Sequence, residues 1–514
     1  MSGTGELYIR YAVSLAFAGL TVFLGYFARR TDFIPFIAAY AAFFGLYIWL
    51  IFRKQALTAA RIRWFTGLGM LLRVLLLFSI PQFSDDFYRF LWDGRLTLAG
   101  YHPFMHPPSY YIDNHILPKG ITPELFSKLN SPAYFTVYPP VCQFVFALAA
   151  WVSPVSEQGG VVAMKVFLLV CEAGTVWQLA VGSSSSGSSS GSRQWQGAGG
   201  SGSAGNPEVG RKQPCGRNAL LYALNPLVIT EIVGNCHFEG AMILFMVLGL
   251  RALESNKVRQ AALWWSLATA AKLLPLMFLP IIGRWLGPHR GVRFLVIFTA
   301  ASLVLFGPLL PVIPNIANSL DLYFRQFQFN ASIYYLIGSI GFWIKGYDVG
   351  ETLGPLLGLT AVAGVLAIAG KVGDPIPDPS PEGRGDVANS VESDVVLSTS
   401  PLPLGEGPGV GWKDALLLAL MLQLSLSATV HPWYATVPLA LGVLAGRRFP
   451  IWWSGLIALS YSHYNGGLFQ ENYLLIFLEY SVLWLVVLWE FKAAGFNLSR
   501  FRPRSNPPGS GTGR

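Results

Sequence analysis

The sequence predicts an all-α polytopic membrane protein. Of its 514 residues, 53% are hydrophobic and only 12% charged, where soluble domains carry about 25% charged residues. Mean hydropathy is +0.47. Apolar runs able to form a helix of about 20 residues recur along the chain, with short basic stretches between them. Length alone would allow several soluble domains, but one membrane domain with many spans accounts for this composition more simply. The net charge of +9, from 36 Lys+Arg against 27 Asp+Glu, sits mostly in loops between apolar runs. It therefore orients helices among membrane lipids, and no nucleic-acid partner is expected. Cys142, Cys171, Cys215 and Cys236 are scattered, with no CxxC and no zinc spacing, so neither a thiolate metal site nor a disulfide framework follows. The first apolar run is long and lacks a small-residue cleavage pattern, and it reads as a span rather than a signal peptide.

Taken in order, the first spans are expected at about 8–28, 33–52 and 64–81. The loop FRKQALTAARIR between the second and third carries Arg53, Lys54, Arg61 and Arg63 and belongs in the cytoplasm by the positive-inside rule. The third span then delivers Ser84 to the outer face, with Arg29 and Arg30 on the wrong side for this scheme. An outer loop follows at 84–140, with a short helix expected in LWDGRLTLAG and a Pro- and aromatic-rich run, YHPFMHPPSYY. Residues 138–154 are apolar but short and proline-broken, as in a juxtamembrane or re-entrant segment. A span at 161–182 closes the first unit, 1–182.

Residues 183–213 read as a flexible Gly/Ser linker and 372–412 as a Pro/Gly-rich insert, both cytoplasmic. Between them, 214–371 holds central spans at about 218–234, 238–253, 292–312 and 352–371. Lys272, Pro275 and Pro280 interrupt the apolar run 258–283, suggesting a broken helix or an in-and-back hairpin, which is tolerated where it lines a cavity. The last unit, 413–492, has spans at 413–430, 434–446, 451–464 and 473–491, followed by a basic tail, 493–514. The expected total is about 12–14 helices. In this topology 84–140, 313–345, 431–434, 462–472 and the turn at 235–240 all reach the outer face, where they can converge on one site.

The candidate chemistry lies in those segments. In a helix Asp86, Arg89 and Asp93 share one face at i, i+3 and i+7. A carboxylate at the membrane boundary, Asp85, Asp86 or Asp93, can act as a general base toward a hydroxyl. Arg89 can hold a phosphate or simply pair with Asp93. Tyr138 precedes two prolines and suits an interfacial anchor. His237 and Glu239 stand at a helix start, where they can bind a sugar hydroxyl, a phosphate or a metal, or merely cap the helix. Lys272, deep in apolar sequence, is a functional candidate unless it snorkels to the cytoplasmic interface. Lys165, Glu172 and Arg73 are expected to pair between helices. Asn330, His431, Trp433 and Tyr434 form polar, aromatic helix ends that suit either an interfacial belt or a sugar or isoprenoid platform. Asn330 and Asn497 also begin formal glycosylation sequons.

Together SDDFYRFLWDG…AGYHPF, YPPVCQF, LNPLVITEIVGNCHFEGA, ATAAKLLPLMFLP, FQFNASIYYL and HPWYATVPLAL resemble, in order, the motifs of the GT-C superfamily of polyprenyl-phosphate-sugar-dependent glycosyltransferases. The likeness is nearest to bacterial alpha-mannosyltransferase-like membrane proteins and covers about residues 80–440. It implies a GT-C membrane domain with a large first extracytoplasmic loop. It further implies a site on the periplasmic face of a bacterial inner membrane, a lipid-linked hexose donor, often mannose, and a lipid or glycan acceptor. The family's D-x-Y-R-aromatic pattern falls on Asp86, with Asp85 as the alternative, and its WDG on Trp92–Gly94. Its histidine falls on His237, and its K-x-x-P lysine, expected to contact the donor phosphate, on Lys272. Glu239 and Phe238 stand where Asp and Asn are commoner. Two carboxylates can bind Mg²⁺ or Mn²⁺ with water completing the shell, but the sequence assigns no metal or other cofactor. A polytopic transporter or lipid flippase shares the intramembrane charges and broken helix, though no internal repeat supports it.

Overall fold

The protein is described here by a computed structural model covering residues 3–53, 57–185, 216–373, 411–467 and 469–493. Lys54, Cys215, Asn497, most of the linker 183–213 and of the insert 372–412, and all but the first residue of the tail 493–514 lie outside the described residues. The described chain is all-α, and its only β pairing is an isolated parallel bridge between Phe329 and Thr429.

Three helices open the fold: α1 (Gly3–Tyr26), α2 (Phe33–Phe52) and α3 (Ala59–Leu75). Glu6 near the start of α1 bonds Arg61 near the start of α3, so these two run in the same direction with α2 antiparallel. Phe17, Phe36, Phe43 and Tyr47 are buried between them. A short helix, α4 (Asp86–Leu98), carries the expected carboxylates, and the outer loop adds α5 (Pro108–Asp113) and α6 (Pro123–Phe126). The proline-led segment after Tyr138 becomes α7 (Pro140–Val152), too short to cross a bilayer, packed along α4. Gly94 permits that packing: a Cβ there would run into the backbone carbonyl of Phe146. The glycine of the WDG motif thus sets how deeply α4 seats on α7.

The long α8 (Glu157–Ser185) crosses next to α3. Here Arg73 Nη2 and Glu172 Oε2 are 2.9 Å apart and fully buried. Tyr222 Oη donates to Glu172 Oε1 at 2.7 Å, and Arg73 Nη1 donates to the Ala223 and Gly69 carbonyls at 2.5 and 2.8 Å. Lys165, expected to join this group, instead donates to the carbonyls of Leu76 and Ser79 at 2.9 and 2.7 Å and satisfies the chain end beyond α3.

After α9 (Arg217–Ala223), Asn225 caps the three-residue α10 (Pro226–Val228), which continues as one π-helical turn, 229–234. The chain then bends by 115° into α11 (Glu239–Glu254). A tight turn with Asn256 at φ 56° leads into α12 (Val258–Ala271), which returns beside α11. Pro275 forces a short 3₁₀ turn, and α13 (Leu279–Phe306) is broken at Gly287, φ 75°. This is the expected in-and-back path. One point differs: Lys272 ends α12 level with the start of α11, so it does not snorkel toward the basic loops.

The rest comprises α14 (Ile313–Gln326), α15 (Ile333–Lys345), α16 (Gly350–Ala369), α17 (Trp412–Leu426), α18 (Thr436–Ala445), α19 (Phe449–Leu456) and α20 (Tyr473–Ala493). Among the described residues six helices are long and apolar enough to cross a membrane, or up to seven if the bent pair at 226–254 counts as one span. The expected spans near 64–81, 413–430, 434–446 and 451–464 are realised as helices of 17, 15, 10 and 8 residues. Leu15, Trp177, Leu359 and Leu485 stay exposed on the long helices, as befits surfaces facing lipid. The protein is a multi-pass membrane protein.

Candidate active site

The polar segments expected on the outer face do meet, at the end of the bundle where α2 begins and α3 finishes. Gln82 and Phe83 donate their backbone N–H groups to Asn235 Oδ1 at 3.1 and 3.0 Å. This ties the entry of α4 to the turn before α11. The Phe83 ring packs on Phe36 and Tyr461, with centroids at 4.9 and 5.3 Å, which brings in the segment after α19.

The three carboxylates of α4 and its cap then part company. Asp85 ion-pairs with Arg30, whose guanidinium also lies 4.8 Å over the Tyr464 ring. Asp93 is buried and accepts from Arg89 Nε at 2.8 Å and Gln143 Nε2 at 3.0 Å. Asp86 has no ion pair among the described residues. It accepts from Asn130 Nδ2 at 2.8 Å. Its carboxylate adds to the electrostatic environment of Lys272, Tyr138 and Tyr464. Burial raises the Tyr138 phenol well above its ordinary pKa, and the Asp86 carboxylate adds to this. Tyr464 is raised by burial first, against the pull of Arg30, with Asp86 adding to the rise.

Arg89, a candidate for phosphate in the sequence, is engaged within the protein through Nε and Nη1, while its Nη2 is enclosed without a hydrogen-bond partner among the described residues. Its Nη1 donates to the carbonyls of Ser131 and Tyr134 at 3.2 and 2.9 Å, and the side chain is buried. With Asp93 it pins the loop that carries Asn130. The i,i+4 pair is structural, and it positions the neighbours of Asp86.

Lys272 Nζ lies 3.0 Å from Glu239 Oε1 and 5.7 Å from the centre of the Tyr138 ring. Glu239 occupies the first turn of α11, where the helix dipole favours a carboxylate. Its Oε2 is enclosed without a hydrogen-bond partner among the described residues. His237 Nδ1 is 2.9 Å from the Glu231 carbonyl, which assigns the proton to Nδ1 and leaves Nε2 as an acceptor, buried without a partner. Its ring stacks on Trp433 at 3.8 Å, Trp433 stacks on His431 at 4.4 Å, and Phe329 packs on His431 at 4.8 Å. Tyr434 meets the His431 ring edge-on at 5.4 Å. Burial, with His237, Lys272 and His463 nearby, lowers the His431 pKa to about 3, so this imidazole is neutral at pH 7.

Asn330 is not presented to the site. It is fully buried at φ 48°, with Nδ2 donating to Glu479 Oε2 at 3.2 Å and its carbonyl accepting from Tyr480 Oη at 2.9 Å. Its work is to hold the Phe329–Thr429 bridge, where Val430 donates to the Phe329 carbonyl at 2.8 Å, and thereby the approach to His431.

Several contributors were missed. Glu231, in the π-helical turn, accepts from Tyr461 Oη at 2.7 Å and reaches His237 Nδ1 at 3.3 Å. Its signal was available: it is a carboxylate inside the apolar run LNPLVITEIVG. Arg30 was set aside as a topological misfit, although its charge is the counter-ion of Asp85. Asn130, Tyr461 and Tyr464 carry no local signal. Among the described residues no group of three or more His, Cys, Asp or Glu side chains is placed to hold a metal ion.

Fold and site together define a multi-pass α-helical membrane protein with a polar, aromatic cluster at one end, which includes Asp86, without an ion pair among the described residues, and Lys272, paired with Glu239. Comparison with known proteins narrows that class. A family model described as Alpha-(1->6)-mannopyranosyltransferase, N-terminal domain, matches residues 211–287, the stretch holding Glu231, Asn235, His237, Glu239 and Lys272. A curated relative, alpha-(1->6)-mannopyranosyltransferase B of Corynebacterium glutamicum, is 23% identical over 194 residues, 37% of this chain and 27% of that protein. The match therefore spans about a quarter of the relative's length. These similarities support a GT-C mannosyltransferase-like protein.

Proposed function

We propose that this protein is an integral-membrane glycosyltransferase that moves a hexose, mannose first among candidates, from a polyprenyl-phosphate donor to a lipid or glycan acceptor. The reaction takes place at the extracytoplasmic face of a bacterial inner membrane. The observation that carries the reading is the different fate of the three carboxylates: Asp85 and Asp93 are neutralised by arginines, whereas Asp86 has one amide partner, no ion pair among the described residues, and Lys272 within electrostatic reach. The similarity of 211–287 to mannosyltransferases supplies the sugar.

In this mechanism the acceptor hydroxyl attacks the anomeric carbon from the side opposite the phosphate. The bond from that carbon to the phosphate oxygen breaks, and its electron pair leaves with the lipid phosphate. The hydroxyl proton passes to Asp86, and configuration inverts. Lys272 stabilises the phosphate as its charge grows, with Glu239 holding the ammonium in place. The His237–Trp433–His431 stack offers an aromatic wall, and His237 Nε2 can accept a hydrogen bond from a sugar hydroxyl. Arg89, with Asp93, positions rather than binds.

The test uses the full chain in proteoliposomes with polyprenyl-phosphate mannose and other lipid-linked hexoses. Asp86→Asn should cut transfer by about 10²- to 10⁴-fold, as loss of a general base does, with insertion and thermal stability unchanged. Asp85→Asn should cost less. Full transfer by both variants with every donor the parent uses sinks the base assignment. Substrate flux without any sugar transfer sinks the transferase reading and revives a transporter.

A further inference from the structure

Beside Asp85 the same end of the bundle carries a second group of side chains that the reaction above does not use. It belongs to the chain between α19 and α20. Gly466 donates its N–H to the Thr31 carbonyl at 2.9 Å, and Gln470 donates to the His463 carbonyl at 3.0 Å. The first of these bonds ties the segment to the residue after Arg30. Gly466, Gly467 and Phe469 adopt positive φ, at 64°, 74° and 50°. Glycine does so at little cost. A bulky residue does not, and it stays there only where its surroundings hold it. The result is a Phe469 ring set against His463 and Tyr464, with centroids at 6.2 and 5.8 Å, while the residue remains 59% exposed.

The polar groups beside these rings are only partly engaged. Glu471 takes its partners on one oxygen: Oε1 accepts from the Asn330 N–H at 3.1 Å and from Tyr335 Oη at 2.9 Å, and it lies 3.3 Å from His463 Nδ1. Its Oε2 has no partner among the described residues. His463 Nδ1 is enclosed without a hydrogen bond among the described residues. Arg30 pairs with Asp85 Oδ2 through Nη2, and its guanidinium lies 4.8 Å over the Tyr464 ring. An aromatic platform is thus bordered by a carboxylate with an open oxygen and by a guanidinium.

That combination selects a ligand class. An exposed ring favours C–H groups laid against it. A carboxylate oxygen accepts from a hydroxyl, and a guanidinium N–H donates to one. A hydrocarbon chain satisfies the ring but strips water from the charged groups without replacing it. A phosphate is opposed by Asp85 and Glu471, and a cation by Arg30. A sugar, with a C–H face and a rim of hydroxyls, meets all of these demands. Its place also has meaning. Tyr464 separates Phe469 from Arg30, Arg30 pairs with Asp85, and Asp85 adjoins Asp86 in the chain. We propose that Phe469, bordered by Tyr464, Arg30 and Glu471, is a subsite for a further sugar residue of an oligosaccharide acceptor, beyond the residue whose hydroxyl meets Asp86. The word acceptor rests on the transferase reading; the binding of sugar at Phe469 does not.

The test has a binding arm and a transfer arm, both on the full chain in detergent. Binding of mannotriose, maltotriose and cellotriose is followed by calorimetry and by saturation-transfer NMR with irradiation of aromatic protons. At least one trisaccharide should bind, with its C–H protons receiving the saturation. Phe469→Ala makes the same backbone demand and removes only the ring, so it should weaken that binding about 3- to 10-fold, and Phe469→Tyr should restore it. In the transfer arm, polyprenyl-phosphate mannose is the donor, and octyl mannoside and octyl mannotrioside are the acceptors. Phe469→Ala should raise KM for the trioside more than for the monoside. No trisaccharide binding, or binding indifferent to Phe469→Ala, overturns the proposal. So does a Phe469→Ala variant that keeps its trisaccharide affinity and loses only stability in lipid, which assigns the ring to an interfacial anchor. Trisaccharide binding that depends on Phe469, in a protein that transfers no sugar from any donor, upholds the sugar site and sinks the transferase reading instead.

Discussion

The buried cluster between α3, α8 and α9 and the polar site around Asp86 both bring carboxylates and cations together inside one membrane protein, but they are built to different standards. In the cluster Glu172 takes a donor on each oxygen and Arg73 adds two backbone carbonyls, with only Arg73 Nη2, 2.9 Å from Glu172 Oε2, left without a hydrogen bond among the described residues. In the proposed site Glu239 Oε2, His237 Nε2 and His431 Nδ1 are enclosed without partners among the described residues, and Asp86 has a single amide. Buried polar groups are as a rule satisfied. A nearly satisfied cluster holds helices together, whereas unsatisfied groups gathered from several segments fit the site proposed for chemistry. Charge inside a bilayer is thus not itself the sign of function. The completeness of its pairing is.

The largest expected effect that separates the two belongs to the cluster. Glu172→Ala leaves Arg73 buried without its counter-ion, and breaking such a pair costs about 3–5 kcal/mol. Thermal unfolding in detergent should show a large drop in midpoint, with activity lost only in proportion to folded protein. Lys272→Gln leaves the buried Glu239 without its counter-ion, so the midpoint should fall here too. Sugar transfer per folded molecule should fall by a further factor of about 10 to 100, the loss of a charged contact, whereas Glu172→Ala should leave transfer per folded molecule unchanged. An equal loss of transfer per folded molecule in the two variants would erase the distinction between the two regions. Smaller again is Gly94→Ala, whose Cβ meets the Phe146 carbonyl. Overpacking of this kind costs about 1–3 kcal/mol. Because α4 carries Asp86, activity should fall further than stability. Gly19→Ala, with nothing near its Cβ, is the neutral control.

What could be read in the sequence followed the range of the interactions. The all-α class and the Arg89–Asp93 pair four residues apart rest on local pattern, and the structure repeats both. Arg89 looked available for a phosphate because its other partners, the carbonyls of Ser131 and Tyr134, lie 42 and 45 residues away. Arg30 looked misplaced because loop-charge counting treats every arginine as a topological vote, whereas this one answers Asp85, 55 residues on. Asn330 looked like a surface amide because nothing local reveals that Glu479, 149 residues later, turns it inward. Glu231 is a different failure. Its polar position in an apolar run was visible, but its link to His237 passes through a π-helical turn that no periodicity announces.

The finest test of the comparison is pH. His431 lies between Trp433 and Phe329, and burial with His237, Lys272 and His463 around it holds its pKa at about 3. An unfolded histidine titrates at about 6.5. Between those values the unfolded chain binds a proton that the folded one refuses, so this residue's contribution to stability is complete above about pH 6.5 and declines as pH falls toward 3. The midpoint of the parent should therefore fall with acidification more steeply than that of His431→Gln, and the two curves should run parallel above pH 7. A difference that persists unchanged from pH 7.5 to pH 5 would mean that His431 takes up its proton in the folded state as readily as in the unfolded chain. Below about pH 6.5 the aromatic stack would then hold a cation, and the electrostatic contrast with the Arg73–Glu172 cluster would have to be redrawn around two cations, Lys272 and His431.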